Sequence, residues 1–269
     1  MATNFNFNGG NGDYAVSVSF RRRLSNRSVV RVTSASELIV DVNVTALVQQ
    51  FMQTRSLLQP DAGEAPPIMI DGCLNKTVGN PDIYPANSGP AAGTAIATSQ
   101  SASCIEQGHF DLHGGSIDGN YFPSGTLWDQ LFSISRSEMQ AVANDEVAAG
   151  VAFSDRRVLW ITSSSNWQDS VGTPAQPVIL IFANGAGCPK INGGPTIYGI
   201  AFFDDSCGGG GHGWGGANVF GTVAYSSTVG KINANTEFFA SEYAGGAETP
   251  AYPILAAYRF HGTWTDIPQ

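Results

Sequence analysis

The feature that most restricts the fold is an internal echo. Thr196-Ile197-Tyr198-Gly199-Ile200-Ala201-Phe202 parallels Asn218-Val219-Phe220-Gly221-Thr222-Val223-Ala224, 22 residues later. The same small signature, a β-branched residue, any residue, then Gly, recurs at Ile70-Asp71-Gly72, Ile117-Asp118-Gly119 and Ile191-Asn192-Gly193. Short strands returning at such a spacing, separated by Gly turns, are what stacked β-coils produce, because no coil can bury its apolar face alone. Composition agrees: 32 of 269 residues are Gly, and only 13% are charged against a usual figure of about 25%. A long-helix protein would need far more Glu, Lys and Leu. The expected fold class is mainly β: a β-solenoid-like stack with a small helical insertion, joined to an antiparallel sheet.

That sheet is read from the N-terminal part. Tyr14, Val16, Val18 and Phe20 alternate with small residues, and Val30, Val32, Leu38, Val40, Val42 and Val44 continue the pattern. This predicts an antiparallel hairpin with one buried face. Val44 to Leu58 suits a strand or a helix, and the spacing leaves both open. Residues 1–58 therefore form an expected β-hairpin module. Residues 59–67, Gln-Pro-Asp-Ala-Gly-Glu-Ala-Pro-Pro, are an expected linker, and 68–269 an expected Gly-rich stacked domain. Inside it, Trp128, Leu131 and Phe132, then Met139 and Val142, have helical spacing. Ser135-Arg136-Ser137-Glu138 reads as a capping box. Two short helices are predicted, near 126–133 and 136–143, to cap or cover an end of the stack.

Charge is uneven. Residues 1–31 hold five arginines (Arg21, Arg22, Arg23, Arg27, Arg31) against Asp13, while the whole chain carries a net charge of −9. The acidic bulk disfavours nucleic acid and anionic membrane, so an anionic partner would have to meet Arg21, Arg22, Arg23 and Arg27. Simple solvation of a turn is the plainer reading of the same arginines. No apolar run approaches the roughly 18 residues of a membrane-spanning helix. No signal-peptide pattern opens the sequence, so export would require a segment ahead of Met1. Cys73, Cys104, Cys188 and Cys207 match no zinc spacing. Their even number in so charge-poor a chain points to disulfides and an oxidising compartment. Three pairings are open, the sequential one being simplest.

Catalytic patterns are sparse. There is no Gly-x-Ser-x-Gly elbow and no phosphate-binding loop. Gly208, Gly210 and Gly213 have dinucleotide-fold spacing, but no helical pattern follows. His109 and His113 flank Asp111. On a strand they would lie roughly 13 Å apart, too far to share one ion. Asp111, Asp118, Asp204 and Asp205 are the carboxylates a polysaccharide-cleaving enzyme could use, with solvated turns the plainer reading. Trp214, in a Gly-rich loop, is the candidate surface contact. No catalytic residue, metal or cofactor is expected.

Three segments resemble the PilX-type family of type IV pilus assembly proteins. Leu127-Trp128-Asp129-Gln130-Leu131-Phe132-Ser133-Ile134-Ser135-Arg136-Ser137-Glu138 is similar to that family's aromatic-rich helix, with Ser133 where the family has Gly. Pro177-Val178-Ile179-Leu180-Ile181, then Thr196 to Phe202 and Ala217 to Val223, resemble its β succession. Gly262-Thr263-Trp264-Thr265-Asp266 resembles its closing signature. They occur in family order from residue 127 to 266. The resemblance implies a non-enzymatic minor-pilin-like component that primes assembly or forms a tip, with surface adhesion or DNA capture. It implies partners among other minor pilins and a tip adhesin, and a periplasmic or extracellular location. It also implies a membrane anchor through an N-terminal helix missing from this sequence. The alternative is a secreted β-helix protein that binds or degrades polysaccharide.

Overall fold

A computed structural model describes residues 4–8, 14–22, 29–38, 41–106, 108–207, 212–244, 255–259 and 265–267. In chain order, β1 (Asn4–Asn8), β2 (Tyr14–Arg22), β3 (Val29–Leu38) and β4 (Asp41–Ser56) come first. Next are β5 (Ile68–Ile70), β6 (Thr77–Val78), β7 (Asp82–Tyr84), β8 (Thr94–Thr98) and β9 (Ser116–Asp118). Helices α1 (Leu127–Leu131) and α2 (Arg136–Ala148) follow. Then come β10 (Val158–Ile161), β11 (Asn166–Trp167), β12 (Val178–Phe182), β13 (Lys190–Ile191) and β14 (Thr196–Phe203). The chain continues through β15 (Gly213–Trp214), β16 (Asn218–Tyr225), β17 (Ile232–Ala234) and β18 (Glu237–Phe239). It ends with β19 (Leu255–Arg259) and β20 (Thr265–Ile267). Two compact units result: Met1–Ser56 with Leu255–Gln269, and Leu57–Ile254.

The first unit is one antiparallel sheet in the order β1-β2-β3-β4-β19, with β20 also on β4. The alternating stretch of β2 pairs with β3 through Val18↔Ser34 and Phe20↔Val32. The ambiguous segment after Val44 is strand. With β3 along one edge and β19 and β20 along the other, its amides are paired from both sides, and tertiary pairing settles what spacing left open. The pairs Ser56↔Leu255 and Leu47↔Ile267 correct the expected boundary: residues 255–267 complete the first sheet rather than the Gly-rich domain. Contacts that distant in sequence leave no local mark.

The second unit is mainly β, in parallel sheets, with two α-helices among its described residues. One ladder runs β10-β12-β14-β16-β5-β8-β9 and another β11-β13-β15-β17-β6. A third joins Val171, the starts of β14 and β16, β18, β7 and Asp111. The sequence echo is the pairing register itself, from Thr196↔Asn218 to Phe203↔Tyr225. Gly199 and Gly221 are partners and turn the corner between two ladders, with φ of 134° and 140°. A Cβ on Gly199 would strike the carbonyl of Val178, so the corner requires Gly. The order is not that of the chain. β16 lies against β5, so the last and first strands of that ladder in chain order are neighbours, and the chain crosses between the extremes β9 and β10 through the helices.

β12 is buried at all five positions. Leu180 and Phe182 face the core between the ladders. The opposite face of the same sheet lies under the helices, where Trp128 and Phe132 pack against Phe202 at 5.1 and 5.6 Å. The helices correspond to the predicted pair with shifted ends, Leu127–Leu131 and Arg136–Ala148. They lie across a sheet face, and α2 also protects an edge. The Glu146 carboxylate accepts from the amides of Arg157 and Val158, at the start of the terminal strand β10. Disulfides Cys73–Cys104 and Cys188–Cys207 are both formed, each joining segments beside neighbouring parallel strands, with Cα atoms 5.1 and 5.6 Å apart.

Candidate functional site

Trp214 is not a surface residue. It is 1% exposed, because β15 faces the core between ladders. Its Nε1 donates to the Tyr225 hydroxyl at 2.9 Å and lies 2.9 Å from His212 Nε2. Burial pushes the Tyr225 phenol far above its usual range, so it stays protonated and donates to His212 Nε2, 2.9 Å away. The ring proton of His212 is then on Nδ1, near the carbonyls of Pro189 and Cys188 but in hydrogen-bonding geometry with no group among the described residues. Burial pushes His212 down to about 4, with the nearby carbonyls of Pro189 and Cys188 pulling weakly the other way. This is a buried polar knot, not a contact surface. Arg21 and Arg22 lie in β2 opposite Arg31 and Val30 by backbone register, whereas Arg23 and Arg27 fall outside the described residues.

Most candidate carboxylates serve the fold. Asp204 takes a bidentate pair from Arg136 at 2.7 and 2.9 Å. Asp205 accepts from the amides of Gly185 and Gly187. Asp118 accepts from Thr94 and Ser116. Asp111 differs. It pairs with Asp82 across the third ladder, and His113 Nε2 lies 3.0 Å from Asp82 Oδ1 and 3.9 Å from Asp111 Oδ2. His109 is not part of this group; its partner in sequence spacing, His113, joins residues from the neighbouring circuit instead.

That trio ends a strip of rings along the third ladder. Tyr198 stacks on Phe220 at 4.8 Å, Phe220 on Phe239 at 4.7 Å, Phe239 on Tyr84 at 4.6 Å, and Tyr84 on His113 at 3.9 Å. Planes differ by 14° or less. Four rings are half-buried, and His113 is exposed. Two residues before each ring stands a polar partner on the same face: Thr196, Asn218, Glu237, Asp82, Asp111. Packing desolvates the Tyr84 phenol and pushes it up, and Asp82, Glu237 and Asp111 add to the rise. The strip thus offers ring edges beside negative charge. Its ring faces cover one another, so the interior rings cannot each stack flat on a sugar.

Sequence reasoning missed this strip, although a signal exists. Thr196-Ile197-Tyr198, Asn218-Val219-Phe220, Glu237-Phe238-Phe239, Asp82-Ile83-Tyr84 and Asp111-Leu112-His113 share one pattern: polar outside, apolar inside, aromatic outside.

No family model matches this chain. No curated protein matches it. Among solved structures, the competence-associated pilin ComZ from Thermus thermophilus superposes over 97% of this chain and 87% of its own, at 9% identity and a TM-score of 0.20. That score establishes no shared fold.

Proposed function

We propose that this chain is an extracytoplasmic, minor-pilin-like component of a type IV pilus. The antiparallel unit would be its assembly module, and the inserted parallel unit, read as a β-solenoid, its contact module. The insertion is the observation that carries the reading. One sheet is completed by strands from both sides of Leu57–Ile254, so an assembly module keeps its sheet while displaying a large second unit. The order of segments resembling the PilX-type family supports it, and two disulfides suit an oxidising compartment. Partners in this reading are other minor pilins and a tip adhesin, the anchor is an apolar helix ahead of residue 1, and the role is not enzymatic. Cross-linking in cells of the source organism tests it. Adducts with other minor pilins are expected, and a protein released to the medium without them would overturn it.

Adhesion and DNA capture are finer forms of the same proposal. If Arg21, Arg22, Arg23 and Arg27 hold DNA, affinity falls steeply with salt and the slope shrinks when they become Ala. Binding indifferent to salt would remove that form. A second reading, polysaccharide binding, draws on the carboxylates and ring edges of the strip rather than on stacking faces. A glycan array with no hits for disulfide-intact protein would remove it.

A further inference from the structure

We propose that Asp82, Asp111 and His113 form a binding site for a divalent transition cation of the zinc class. One donor atom from each lies within 4.8 Å of the others. Zinc–nitrogen and zinc–oxygen bonds of about 2.0–2.2 Å require donors closer together than that, a change that side-chain rotation supplies. The three side chains are brought together before any ion arrives. Asp82 and Asp111 are paired residues of one ladder, so the backbone sets their spacing. Asp111 Oδ1 accepts from the His113 amide at 3.0 Å, turning its other oxygen toward the imidazole. The Tyr84 ring lies flat on His113 at 3.9 Å and holds the imidazole plane.

A second observation points to a cation. Among the described residues no Lys or Arg pairs with Asp82 or Asp111, and Glu237 adds a third carboxylate on the neighbouring strand. The strip end therefore carries uncompensated negative charge beside a nitrogen donor. The mixed donor set selects the metal. Calcium prefers six to eight oxygens, whereas imidazole with carboxylate suits zinc, copper or nickel. Half-exposure leaves the remaining coordination positions to water or to a donor from another molecule. All four cysteines are in disulfides, so no thiolate competes.

The experiment is calorimetric titration of untagged, chelator-treated, disulfide-intact chain with Zn²⁺ alone. One equivalent is expected to bind. His113→Ala and Asp82→Asn are each expected to weaken binding at least about tenfold, while His109→Ala leaves it unchanged. Mn²⁺ should bind more weakly than Zn²⁺, and Ca²⁺ should give no saturable heat. Circular dichroism melts confirm that the variants fold; should His113→Ala fail to fold, Asp111→Asn, which preserves shape, reads the same loss. Absence of saturable heat, equal affinity in the variants, or preference for Ca²⁺ would reduce the trio to an ordinary ion pair and overturn the proposal.

Discussion

At the residue scale, His212 makes the sharpest demand. Its buried ring cannot take a proton that the unfolded chain accepts near 6.5, and its own affinity corresponds to about 4. The folded value is depressed, so the full contribution is present above pH 6.5. It is lost as pH falls from there and levels off near 4. At about 1.4 kcal/mol per pKa unit, the loss is about 3 kcal/mol. Urea unfolding at pH 7 and pH 4.5 should show this fall in the wild type. It should show markedly less in His212→Asn, whose side chain does not titrate. Gly199 is the second test. Gly199→Ala meets both a φ of 134° and the Val178 carbonyl, and should cost about 2 kcal/mol or more. Gly185→Ala, at φ 90° with open space around the new Cβ, should cost less. Thermal melts compare the two.

At the scale of elements, the capping box and the disulfides are separable. Ser135 accepts from the Glu138 amide, and the Glu138 carboxylate accepts from the Ser135 amide. Ser135→Ala should therefore lower stability by about 1 kcal/mol. Paired Cys73→Ser and Cys104→Ser should lower it by about 2–4 kcal/mol, read from denaturant midpoints. What was legible in the sequence follows the range of the forces. The β2–β3 hairpin, the two helices and the β14–β16 register arise from local alternation, a local cap and a 22-residue echo. The strand character of β4 and the return of β19 and β20 depend on partners far along the chain. Trp214 misled for a related reason: neighbouring glycines read as a surface loop, yet its ring fills the space between ladders. The aromatic strip needed the stacking order, which joins β18 to β7 against the order of the chain.

At the scale of the molecule, an antiparallel sheet is interrupted in sequence by a second compact unit. The insert has its own core and its own disulfides, and its strand β16 lies against its first strand, β5. Residues 57–254 expressed under oxidising conditions should therefore melt in one cooperative transition. A broad, non-cooperative melt would show that the insert depends on the sheet. The central claim is a place in a filament, and immunogold electron microscopy of the source organism tests it most directly. With antibodies raised to residues 57–254, gold is expected at filament tips or along filaments. Gold confined to the cell envelope or the medium, beside well-preserved unlabelled filaments, would contradict it.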